Sequence, residues 1–242
     1  MFAAILALAQ VAAANVALDV KTASDGYQID VRESFDENEL QQIQTRFIAL
    51  GKATCGGMTL RWGRFTYDTQ HTADGASLIV NMVQRFECID PATDPYKPVP
   101  ADWKATEADE RASKAAAERY VRAVLANDAR TGIAMYEPFA EVDETAWRKA
   151  AGVMPDAGTG SFEVKRIDWM VNPETMAHPG AYVTYVMVGQ YSKLAEMCGV
   201  LILYRTPGGE FQITQQMLNG VTRAAVESGQ ITQAQAASYC GG

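Results

Sequence analysis

The sequence predicts an α+β protein: a small N-terminal ββαββ domain, then three helices packed on a curved antiparallel sheet, then a helical tail. Three observations carry this reading. Strand-period alternation recurs in short segments of both halves, helix-period apolar stripes occupy other segments, and a run of prolines separates the halves.

Residues 17–22 and 27–33 alternate apolar and polar around Ser24-Asp25-Gly26, which predicts a hairpin. A helix start follows. Asp36 suits the N-cap, Glu39 completes a capping pattern, and Phe35 can staple onto Leu40. Leu40, Ile43, Phe47 and Leu50 then share one helical face, and Gly51 suits the C-terminal cap. Residues 59–69 and 78–89 read as two further strands.

Pro91, Pro95, Pro98 and Pro100 make residues 91–105 unfit for helix and poor for sheet, so this stretch reads as an extended linker between residues 15–90 and 106–242. Beyond it, Thr106 can cap a helix running to about residue 126, with Asp109 at the third position. Ala112, Ala116, Tyr120, Ala123 and Val124 form its expected buried stripe. Asn127-Asp128 breaks it. A short helix over 132–136 stops before Pro138, and a third over 144–151 carries Trp147. Strands follow at 162–171, 181–192, 198–205 and 210–217, with Pro207-Gly208-Gly209 as the last turn. Residues 222–239 read as a helical tail.

The cysteines bear on compartment. Cys55, Cys88, Cys198 and Cys240 are widely spaced, and none forms a CxxC pair. With an uncharged, alanine-rich N-terminus, they read as two structural disulfides in an exported protein. A Cys55–Cys88 bridge would tie helix to sheet, and a Cys198–Cys240 bridge would pin the tail, although four cysteines allow three pairings. Residues 1–14 read as a secretory signal peptide, with Ala12-Ala13-Ala14 before Asn15 at the cleavage site. Gln10 and Asn15 interrupt the stretch, and a membrane span needs about 20 apolar residues, so no stable membrane insertion is expected once the leader is removed. The expected location is periplasmic or secreted, in a bacterium.

A formal charge of −8 argues against nucleic acid as a partner. There is no Walker A loop and no GxGxxG. Gly158-Thr159-Gly160-Ser161 lacks the second flanking glycine of a nucleophile elbow. His71 and His178 each sit among turn residues, where a surface or turn role is expected, and they make no metal site. No cofactor and no metal is expected, and oxidised cysteines argue against thiolate catalysis.

The second half resembles the NTF2-like superfamily, a cone of curved sheet wrapped on helices. Within it, residues 107–216 look most like DUF4019, a bacterial exported domain of unknown function. The resemblance rests on the alanine-rich helix ending at Ala126-Asn127-Asp128, on Trp147, and on the run from Gly160 to Arg166. It also rests on His178-Pro179-Gly180-Ala181-Tyr182 and on Gly209-Glu210-Phe211-Gln212-Ile213, where Phe211 stands in place of the family's tryptophan. The family carries no assigned activity. Its fold implies a pocket between helices and sheet that Tyr136, Phe139, Trp147, Trp169, Tyr185, Met187 and Tyr204 could line, unless these side chains simply fill the core.

Arg166 and Asp168 share a strand face by alternation. Facing inward they could bind an anionic or carbonyl group; facing outward, the preferred orientation, they form a surface ion pair of little worth. The leading expectation is a non-catalytic cell-envelope protein that binds a small apolar ligand or a protein partner. One alternative is an isomerase- or cyclase-like enzyme using Asp168 with a pocket tyrosine, Tyr136 or Tyr185, which requires Asp168 buried. The other is a structural role as a homodimer across the open sheet face, through apolar positions such as Val200, Ile202, Phe211 and Ile213.

Overall fold

The computed structural model describes residues 16–71, 77–138, 140, 142–152, 161–190 and 194–235. The expected signal peptide, Phe139, the Gly158-Thr159-Gly160 loop and Cys240 lie outside them, as does the side chain of His71. The chain divides into two compact units, Met1–Asp94 and Pro95–Gly242. Both are α+β with antiparallel sheets, as the alternation patterns predict.

In the first unit, β1 (Leu18–Ala23) and β2 (Gly26–Val31) form the predicted hairpin, with Gly26 at φ 134°. A two-residue strand, β3 (Phe35–Asp36), precedes a single 3-10 turn and α1 (Leu40–Cys55). The Asp36 N–H donates to the Glu39 carboxylate at 3.2 Å, so half of the predicted capping pattern is made. The long strands β4 (Thr59–His71) and β5 (Ser77–Ile89) complete the sheet. Strand β5 is central: β2 and β3 pair along one side of it, and β4 along the other.

Helix α1 buries Ile43, Phe47, Gly51 and Cys55, one residue per turn, onto a core of Ile29, Phe35, Ile79, Met82 and Phe86. Gly51 is therefore not the cap. The helix runs on to Cys55, and Gly56, at φ 59°, ends it. A Cβ at Gly51 would stand 2.9 Å from Leu60 Cδ2, so this glycine lets helix and strand approach closely. Cys55 and Cys88 are bridged, with Cα atoms 5.2 Å apart. The link fastens the last turn of α1 to β5.

In the second unit, Thr106 and Asp109 close a reciprocal capping box on α2 (Glu107–Leu125). The buried face is Asp109, Ser113, Ala117, Tyr120, Val121, Ala123 and Val124. Ala112 is exposed and Ala116 half-buried, so the predicted alanine stripe is displaced by one position. The two polar residues on the true face are admitted because each has a partner across the core: Arg205 for Asp109 and Tyr185 for Ser113.

Helix α3 (Ala129–Ile133) begins earlier than predicted because the Asp128 side chain caps it, accepting from the Thr131 N–H at 3.1 Å. Helix α4 (Glu144–Gly152) carries the buried Trp147. The sheet is a simple meander of β6 (Ser161–Val171), β7 (Ala181–Gln190), β8 (Leu194–Arg205) and β9 (Phe211–Thr222). Strands β8 and β9 outrun their predicted ends because pairing continues to Leu194↔Thr222. A short α5 (Arg223–Glu227) follows, with Gly229 at φ 75° just beyond it. Among the described residues, no helix is long and apolar enough to cross a membrane.

Candidate functional site

The inner face of the second sheet meets the helices through side chains that satisfy one another. Tyr120, fully buried on α2, is the hub of one cluster. Trp147 Nε1 donates to its hydroxyl at 3.2 Å, the Tyr136 hydroxyl lies 2.9 Å away, and Tyr120 donates to Gln216 on β9. Nearby, the Tyr185 hydroxyl and Ser113 Oγ are 2.8 Å apart. Burial pushes the phenols of Tyr120, Tyr136 and Tyr185 above their ordinary value, so they remain neutral donors rather than bases.

A second cluster was not anticipated. His178 is buried rather than at the surface, and its Nε2 stands 2.5 Å from Glu137 Oε1. The other Glu137 oxygen accepts from Thr214 Oγ1 at 2.6 Å. His178 Nδ1 lies 2.9 Å from the Pro179 carbonyl and 2.9 Å from the Tyr182 hydroxyl, which itself donates to the His178 carbonyl at 2.7 Å. Both ring nitrogens thus lie within hydrogen-bond reach of an oxygen. Tyr96 stacks on the ring at 3.7 Å and Tyr204 meets it edge-on at 4.4 Å. Burial, then the Glu137 charge, push the Tyr182 phenol upward. Glu137 and His178 are far apart in sequence, and neither sits in a metal-like or triad-like spacing. The one available signal was the Pro-Gly turn after His178, which fixes where its strand begins.

Of the sequence-predicted pocket residues, Tyr136, Trp147 and Tyr185 converge on the inner face, whereas Tyr204 belongs to the His178 cluster. Trp169 packs between Trp103 and Phe211 and donates from Nε1 to Glu110 at 2.9 Å. Arg166 does not pair with Asp168. Its Nε is 3.0 Å from the other oxygen of Glu110.

A β-bulge explains the separation. Arg166 lies opposite Tyr185, and Asp168 opposite the next residue back, Thr184, so Ile167 is an extra residue in β6. The insertion flips the alternation, putting Arg166 on the helix side and Asp168 on the other. Asp168 is exposed, and its Oδ1 accepts only from the neighbouring Trp169 N–H among the described contacts, at 2.8 Å. The burial that an Asp168 base requires is therefore absent.

A small apolar notch lined by Tyr120, Val121, Val124, Leu125, Met187 and Met197 has about 10 Å³ of free space, room for one water. Among the described residues, Tyr136, Trp147, Trp169 and Tyr185 pack with the core of the second unit.

No protein-family model matches this chain, and no curated protein does. Solved structures are similar in part. One of them is described as a ketosteroid isomerase-like protein from Erwinia carotovora atroseptica SCRI1043. The match covers 48% of this chain and 98% of the other, at 12% identity and a TM-score of 0.31. A likeness of that degree does not bear on chemistry, and the resemblance to DUF4019 gains no family match.

Among the described residues, no helix of the second unit's core layer lies on the opposite sheet face. Register places Val186, Val200 and Met217 in one row across β7, β8 and β9, with Ile202 and Val188 in adjoining rows. Met217 is 55% exposed, Val188 39%, and Ile167 on β6 56%, while Val186, Val200 and Ile202 are half-buried. Two of the positions expected on this face are elsewhere: Ile213 is fully buried, and Phe211 packs against the core. Cys198 lies on this face and is disulfide-bonded; Cys240, its expected partner, is outside the described residues.

Proposed function

We propose that this is a non-catalytic exported protein of the bacterial cell envelope that works by binding a protein partner across the open sheet face of its second unit. The observation that carries the reading is the Val186–Val200–Met217 row with Ile202 and Val188 beside it. An antiparallel sheet with one solvated face ordinarily alternates apolar-in and polar-out, and aliphatic residues repeated on the outer side depart from that pattern. Within the Tyr120 and His178 clusters the polar groups satisfy one another, and the apolar notch beside Tyr120 has room for about one water. The Cys55–Cys88 bridge supports an oxidising compartment.

A photoreactive residue placed at Met217 tests this in the native compartment. The expected result is one discrete crosslinked species, lost when Val200→Glu is added. A second copy of the chain in that species identifies a homodimer, and another protein identifies a hetero-partner. No crosslinked species from a folded, correctly located protein overturns the reading.

A small apolar ligand is the second reading, favoured by the two flexible methionines, Met187 and Met197, at the apolar notch. Native mass spectrometry of unreduced protein would reveal such a ligand as extra non-covalent mass.

A further inference from the structure

We infer that the second unit carries a groove for extended proline-rich peptides, and that residues 95–103 of this chain occupy it. The groove is separate from the sheet face discussed above and does not rest on that reading.

Three anchors seat the segment. Tyr96 lies flat on His178, with ring centroids 3.7 Å apart and planes 20° apart, and Tyr204 forms the side wall at 5.7 Å. The Val99 N–H donates to Asn172 Oδ1 at 3.0 Å, and the Val99 carbonyl accepts from Asn172 Nδ2 at 2.8 Å. A single side-chain amide thus holds one residue, Val99, at both its backbone donor and its backbone acceptor. Trp103 then packs on Trp169 at 5.3 Å, under the Arg205 guanidinium at 5.9 Å.

Pro95 stands just before the first anchor and Pro98 and Pro100 between the anchors; they fix φ and remove donors, and after them the Trp103 N–H turns back to the Pro100 carbonyl at 3.0 Å. Aromatic walls, one hook on the backbone and a ligand with little conformational freedom to lose are the means by which proline-rich chains are recognised between proteins.

The groove is built without the segment that fills it. Each wall residue has a partner outside residues 95–103. Glu137 fixes His178 at 2.5 Å, Gly180 N–H reaches Asn172 Oδ1 at 3.1 Å, Glu110 holds Trp169 at 2.9 Å, and Asp109 holds Arg205 at 2.6 Å. The site is pre-organised, so a peptide with Tyr-x-Pro-x-Pro-x-x-Trp chemistry from another protein fits it once the chain's own segment lets go. In the resting protein the tether gives that segment an effective concentration of about millimolar, which shuts the groove to weaker competitors.

The test uses the full-length chain and a fluorescently labelled peptide copying residues 94–104, read by anisotropy. Wild type should bind it weakly. Tyr96→Ser with Trp103→Ser should bind at least tenfold more tightly, and adding Asn172→Ala should reverse the gain. A milder pair, Pro98→Gly with Pro100→Gly, loosens the tethered segment without touching the groove and should improve binding several-fold. Equal binding by wild type and a folded loosened variant overturns the proposal, as does binding that survives Asn172→Ala.

Discussion

Glu137 Oε1 and His178 Nε2 are 2.5 Å apart with both side chains sealed from solvent, and a tyrosine lies against each remaining side of the imidazole. Removing one partner from such a pair leaves the other's buried polar atom without its hydrogen bond, at a cost of about 1–3 kcal/mol. Glu137→Ala and His178→Ala should each lose that much in urea denaturation of the second unit. Glu137→Leu with His178→Phe should be less destabilising than either single change, because no buried polar atom is left without its partner. Single variants within about 1 kcal/mol of wild type would show that the pair does not hold the cluster together.

Asp109 sets part of the acid limb of stability. Burial opposes its charge, but Arg205 and the Thr106 N–H and hydroxyl outweigh that and hold the carboxyl below its ordinary 3.8. A carboxylate with a lower folded than unfolded value contributes stability that is fully present above the unfolded value and lost as pH falls through the folded one. Asp109→Asn should therefore weaken the protein at neutral pH and flatten the loss seen below about pH 4. Parallel curves for wild type and variant in that window would exclude the Arg205 pairing as a source of stability.

Gly132 and Trp147 are fitted to each other. A Cβ on Gly132 would stand 2.3 Å from Trp147 Cζ2, inside contact distance. Gly132→Ala should cost about 1–3 kcal/mol by overpacking, and most of that cost should vanish in a Trp147→Leu background. Additive effects in the double-mutant cycle would disprove the contact.

The Cys55–Cys88 bridge spans a sequence separation of 33 residues. In the chain-entropy account a loop of that size stabilises by about 3–4 kcal/mol. Replacing both cysteines with serine should lower the first unit's stability by that order and leave the second unit's transition where it was. A matching shift in both transitions would mean the units do not unfold separately.

Local signals carried most of the fold. The Thr106–Asp109 box, the Ser24-Asp25-Gly26 hairpin and the four strands of the second sheet depend on neighbours in sequence, so they could be read there. What failed depended on distant partners. Ser113 belongs to the buried face only because Tyr185 meets it, and no helical-wheel argument reveals that. The bulge at Ile167 leaves no compositional mark, yet it separates Arg166 from Asp168 and removes the proposed base. His178 reads as a turn residue until Glu137, on a different element, is placed beside it.

The asymmetry between the units reaches into the order in which the chain is made. Every strand partner of the first unit, and both cysteines of its bridge, lie before Asp94. That half can complete itself while the rest is still being synthesised. Val99 must instead wait for Asn172, so the stretch joining the halves is fastened only as the second unit folds. The proposed groove would stand open only between the folding of its own walls and the docking of Tyr96 and Trp103, and that interval is when another molecule's proline-rich segment would meet least competition.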